Sequence, residues 1–128
     1  MRFMMFMLPN IPAEGEWMPT AEAVASMSKY NEELQKAGIL LALDGLHAQA
    51  EGVRVSFSGG RKTVTDGPFT EAKEMIGGYW IIDVKSKEEA VEWASRCPGE
   101  ECSIELRQVF EMSEFPPDVQ AAAGPSLV

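Results

Sequence analysis

The sequence predicts an α+β fold: a βαββαβ core with an antiparallel sheet and one inserted β-hairpin. Three observations predict it. Two short runs, Phe3–Leu8 and Tyr79–Val84, carry apolar side chains on both faces of a strand. Two stretches with helical spacing and end signals, Thr20–Ala37 and Ser86–Arg96, separate strand-like runs. Between the halves, "VRVSFSGGRKTVT" alternates around a Gly-Gly pair.

Phe3, Met5 and Met7 point one way in the first strand, and Met4, Phe6 and Leu8 the other. Methionine here reads as core filling, not a metal site. Pro9 to Pro19 is a loop. Thr20 caps the first helix and Gly38 ends it, with Val24, Met27, Leu34 and Ala37 on one face and Glu32, Glu33 and Lys36 in water. "ILLAL" reads as a buried strand ending at Asp44-Gly45.

In the hairpin, a Gly59-Gly60 turn sets Val55 opposite Val64. Val53, Val55, Phe57 and Val64 then share one face, and Arg54, Ser56, Thr63 and Thr65 the other. Tyr79–Val84 is the next strand. Ser86 and Glu89 form a capping box for a helix burying Ala90, Val91, Trp93 and Ala94. "CSIELRQVF" is the last strand, with Ile104, Leu106 and Phe110 on one face and Glu105, Arg107 and Val109 on the other.

With the hairpin set aside, the order is the split βαβ, ferredoxin-like one. Its first and third strands lie in the middle of the sheet and both helices cover one face. Those two strands are the ones apolar on both sides, so something else covers the second side. The hairpin folding back is one answer. A second copy packed sheet against sheet, as a homodimeric α+β barrel with a cavity between, is the one favoured.

The chain has 128 residues, read as one domain over 1–115, with the hairpin insertion at about 52–76 and a flexible tail over 116–128. A net charge of −9 argues against direct nucleic-acid binding. Cys97 and Cys102, in "CPGEEC", could close a short disulfide loop, two reduced thiols being the favoured reading, and with one distant His they make no structural zinc site. The apolar start is too short for a signal peptide or a membrane span, so a cytoplasmic protein is expected, with no membrane partner.

"KTVTDGPFTEAKE" carries the sharpest local puzzle. A turn Asp ordinarily accepts from the N–H two residues on, but here that residue is Pro68, which has none. Asp66 must reach Phe69 or Thr70, find a side-chain partner, or face a cleft. Pro68 suits the first position of a short helical turn through Lys73. Two readings stay open: a lock that pins the hairpin to the sheet, and a carboxylate held toward a pocket. Glu71, Lys73 and Glu74 read first as a solvated face.

His47 is the only imidazole, in "DGLHAQA" after a buried strand, and is the default general base. Asp44 is the candidate to orient it. The candidate catalytic residues are thus His47 and Asp66. Candidate binding residues are Asp44, Arg54, Phe69, Lys73, Tyr79 and Arg107, with Arg54 or Arg107 as a clamp for an anion and Tyr79 a polar tip on an apolar wall. Surface and packing roles are the plain alternatives for each.

"LLALDGLHAQA", "VTDGPFTEAKEMIGGYWIIDVKSKEEAVEWASRCP" and "IELRQV" together resemble the YCII-related family, in its DGPF-domain branch, over roughly Arg2 to Met112. The resemblance implies a ferredoxin-like fold that forms dimeric α+β barrels, with a biochemical role largely unassigned. In smaller relatives a His–Asp pair sits in the cleft, with the His on the first helix. Thr20 to Ala37 contains no His here, so that pair does not carry over.

Two functions follow as expectations. One is a small-molecule binder, or a cofactor-free acid–base enzyme acting on a small aromatic or carbonyl compound, with the pocket in the dimeric barrel. The other rests on the resemblance: DGPF-branch proteins are encoded beside, or fused to, extracytoplasmic-function sigma factors. That implies a regulatory module with a protein partner in transcription regulation and no catalysis.

Overall fold

The computed structural model describes residues 1–10, 18–68, 75–99 and 101–124. In chain order the regular elements are β1 (Arg2–Pro9), α1 (Ala21–Lys36), β2 (Leu40–Gly45), β3 (Val53–Ser58), β4 (Arg61–Asp66), β5 (Gly78–Asp83), α2 (Lys87–Ser95), β6 (Cys102–Gln108) and α3 (Pro117–Ala123). A four-stranded antiparallel sheet runs β2-β5-β1-β6, and among the described residues β3 and β4 pair only with each other. Without the hairpin, this is the ferredoxin-like order the sequence predicts.

Each helix starts where a side chain replaces a missing hydrogen bond. Thr20 accepts from the Ala23 N–H at 3.1 Å, and Ser86 from the Glu89 N–H at 3.1 Å. The Glu89 carboxylate reaches back to the Lys85 N–H, not to Ser86 as a capping box requires. Helix α1 ends in a Schellman turn. Gly38 takes φ +74°, its N–H reaches Gln35, and the Ile39 N–H reaches Leu34.

The two central strands divide their side chains between two faces. Met5 lies opposite Trp80 and Leu106. Phe3, Met5, Trp80, Ile82 and Val84 are buried with Tyr30 and Leu34 of α1 and Ala90 of α2. Burial of each Phe, Met, Ile, Leu or Val among them contributes about 1.5–3 kcal/mol. Trp80 is held edge-on by the Tyr30 ring, at 5.8 Å and 89°. The other face carries Met4, Phe6, Leu8, Tyr79 and Ile81, each half-buried.

Several expectations change. β2 is an edge strand, so Leu41 and Leu43 are exposed where a buried strand was expected. Ala37 and Val91 lie on the wet sides of their helices, and Val24, at the edge of the inward face, is 48% exposed. β6 stops at Gln108, which frees Phe110 to stack on Phe115 at 4.9 Å. The chain then continues into α3, tied by the Gln120 side chain donating to the Phe115 carbonyl, where the sequence offered no element.

The hairpin has the predicted register, Val55 opposite Val64. Gly59 and Gly60 take φ +57° and +79°, as a turn with two left-handed residues demands. It does not fold back over the sheet: every residue of β3 and β4 is exposed.

Candidate functional site

A cleft of about 240 Å³ opens between the N-terminal half of α1 and one end of the sheet. Its walls are Met7, Val24, Met27, Leu43 and Trp80. The space exists because Gly45, Gly77 and Gly78, which border it, bring no side chains to this end of the sheet. Gly78 cannot be enlarged freely, since a Cβ there would meet the Asp44 carbonyl oxygen at 2.9 Å.

Two polar side chains of α1, Ser28 and Asn31, border these walls, and Asn31 is the one tied to the sheet. It falls on the stripe Val24, Met27, Asn31, Leu34, seven and four residues from its lining partners. The Trp80 indole N–H donates to Asn31 Oδ1 at 2.8 Å. That bond fixes the carboxamide, so its NH₂ group is the remaining donor. The sequence reading missed Asn31, although one polar residue in an apolar helical stripe is a legible signal.

Asp44 and Tyr79 border the cleft and face each other across β2 and β5. Strand alternation sends their side chains to the opposite face from Leu43 and Trp80. There the Tyr79 hydroxyl donates to Asp44 Oδ2 at 2.8 Å. This bond, and the carboxylate charge behind it, hold the Tyr79 phenol above its ordinary pKa. Tyr79 therefore serves as a donor at neutral pH, and Asp44 as the acceptor of the pair.

The other candidate residues stand elsewhere. His47 Nδ1 lies 3.1 Å from Glu51 Oε2, with 86% of its side chain exposed. Its partner is thus Glu51, and Asp44 is taken by Tyr79. Asp66 occupies the last ladder position of the hairpin, opposite Val53. Neither His47 nor Asp66 is among the residues lining the cleft. Arg107 points from the face that carries Met4 and lies 3.7 Å from Glu105. Arg54 sits on β3 opposite Thr65. Phe69 and Lys73, with the helical turn expected from Pro68 to Lys73, lie outside the described residues.

The Asp-Gly-Pro turn acts structurally at Gly67. Its N–H donates to the Gly52 carbonyl at 2.9 Å, closing the base of the hairpin. A Cβ at Gly67 would overlap the carbonyl oxygen of Gln49, in the short 3-10 turn Gln49–Glu51. Only a residue without a side chain lets these two backbones approach so closely. The Gly67-Pro68 peptide is cis.

Cys97 and Cys102 are both free thiols. Burial, with a smaller contribution from Cys102, pushes the Cys97 thiol up to about 12, far from nucleophilic use. No helix among the described residues is long and apolar enough to cross a membrane. None of the curated proteins matches the chain. The family model of the YCII-related domain matches residues 1–113, from the first strand through the last, and the chain belongs to the YCII-related family.

Proposed function

We propose that this protein binds a small molecule in the cleft between α1 and the sheet. The carrying observation is the cleft itself: an apolar recess with a fixed polar group, Asn31, inside it. Binding sites for small molecules are commonly concave, apolar and supplied with few polar groups. Acid–base turnover is the further step of this reading. Asp44 with Tyr79 is a preformed couple on the opposite face of the sheet from the cleft walls, so turnover there would act on a molecule held at that face, and His47 with Glu51 is a second, solvent-facing couple. A homodimer packed through the Met4, Phe6 and Ile81 face would enclose the Asp44–Tyr79 pair.

The test is a metabolite thermal-shift screen on the wild type and on Ala23→Trp, which fills the cleft from an exposed helix position. Compounds that stabilise the wild type and lose that effect in the variant are expected. If no compound distinguishes the two proteins, the binding reading fails.

A second reading has its own observation. The hairpin leaves Val53, Val55, Phe57 and Val64 about 49–71% exposed on one face. Such a surface suits a protein partner, as a regulatory module tied to sigma-factor signalling requires. Co-purification of a defined partner lost in Phe57→Ser, with no metabolite hit, would favour it.

A further inference from the structure

The cleft has a chemical character that narrows its ligand, and the narrowing rests on the binding reading above. None of its described lining residues is Lys, Arg or His. Its two ionisable members, Asp44 and Tyr79, send their side chains through to the other face and satisfy each other there. A charged ligand seated against Met7, Met27, Leu43 and Trp80 would therefore leave water without a counter-charge, which is costly. The net charge of −9 opposes anions further.

What the cleft does offer is neutral hydrogen bonding: the Ser28 hydroxyl at its border, which can donate or accept, and the Asn31 carboxamide, whose orientation is fixed. Trp80 occupies Asn31 Oδ1, so the Asn31 NH₂ is left as the donor. No other described residue partners that NH₂, and it is not a buried orphan, since the sole buried polar side-chain atom lacking a partner among the described residues is Gln49 Oε1. The volume of about 240 Å³ is below the range of drug-sized sites. We infer that the cleft takes an uncharged, mainly apolar molecule of about one ring, carrying a hydrogen-bond acceptor such as a carbonyl that Asn31 Nδ2 engages.

Asn31 and Trp80 form one unit: the indole N–H chooses which end of the carboxamide faces the ligand. Replacing Asn31 by Asp keeps an oxygen for Trp80 but removes the donor and adds a negative charge. That variant is expected to reject carbonyl compounds and accept amines.

The experiment uses four one-ring probes: acetophenone, ethylbenzene, benzoate and benzylamine. Binding is followed by NMR, through the backbone amides of Met27, Leu43 and Gly78 and the Trp80 indole N–H. The expected order is acetophenone first and ethylbenzene next, with benzoate and benzylamine at least about tenfold weaker than acetophenone. Asn31→Asp is expected to weaken acetophenone about tenfold and bring benzylamine above it, with ethylbenzene within about twofold of its wild-type affinity. Asn31→Leu, which leaves the indole unpaired, is compared by melting temperature so that lost folding is not read as lost binding. Tightest binding by benzoate or benzylamine to the wild type overturns the assigned class. Equal affinity for acetophenone and ethylbenzene, unchanged by Asn31→Asp, overturns the role of Asn31. Shifts from none of the four overturn the class as well, while a screening hit lost in Ala23→Trp keeps the broader binding reading standing.

Discussion

Phe3 and Phe57 both sit in β-strands with apolar neighbours two residues away on the same face, yet Phe3 is 4% exposed and Phe57 is 71% exposed. The first belongs to a strand with neighbours on both edges and helices over one face. The second belongs to a ribbon paired only with itself. Alternation determines which residues share a face. Burial is decided by what lies across from that face, and among the described residues the hairpin has nothing comparable to α1.

The largest expected effect separates these two regions directly. Leu34→Ala or Met5→Ala empties a fully buried position and is expected to lower unfolding free energy by about 2–5 kcal/mol. Phe57→Ser is expected to change it by under about 0.5 kcal/mol in the isolated chain. Urea denaturation of the three variants checks this. A large loss at Phe57 that grows with protein concentration would show that the ribbon is covered by a second copy.

The joint between the regions is the next target. Gly67→Ala drives a methyl group into the Gln49 carbonyl and is expected to cost about 1–3 kcal/mol. Gly45→Ala, with no atom within 4 Å of the new group, is the matched control and is expected to be near neutral. Equal melting temperatures for the two would remove the packing account of the Asp-Gly-Pro turn.

Capping is a smaller effect and belongs to the helix-covered region alone. Thr20→Ala leaves the Ala23 N–H without its acceptor and is expected to cost about 1 kcal/mol. Thr20→Ser, which keeps the hydroxyl, is expected to recover most of it. Helix content and urea midpoints report both.

The smallest effect is electrostatic. Tyr30 and Tyr79 are the two tyrosines, and both phenols are raised above the ordinary value, Tyr30 by burial and Tyr79 by its bond to Asp44. A raised pKa means the native state favours the protonated phenol. That contribution is complete below the unfolded pKa near 10 and is lost as pH rises through the folded values. Absorbance titration of the folded protein is expected to show no phenol ionising as early as free tyrosine. In Asp44→Asn, one of the two should move down.

Much of the architecture was legible because its signals are local. Thr20, Gly38, Gly59-Gly60 and Ser86 each meet a backbone need within a few residues, and the register Val55–Val64 follows from turn length alone. Burial was less legible because it depends on distant partners. Nothing within "ILLAL" says that β2 ends the sheet, so Leu41 was expected inside. The site was the least legible part. His47 and Asp66 stood out for their chemistry, but cleft lining depends on which strand ends meet α1. Asn31 was within reach of a polarity argument, as the odd member of the stripe from Val24 to Leu34. Its bond to Trp80 spans 49 positions, and no local pattern encodes that.

The hairpin also separates charge. From Val53 to Asp66 it carries Arg54, Arg61 and Lys62 against Asp66 alone, a net of +2, so the rest of a chain of total charge −9 bears −11. The molecule is therefore an electric dipole with a positive, apolar tip. In dilute salt, that tip leads the approach to any acidic surface, including the body of another copy, and orients the encounter before contact. Above about 0.1 M salt the field fades within roughly 10 Å, and only the bare valines and Phe57 are left to sustain adhesion.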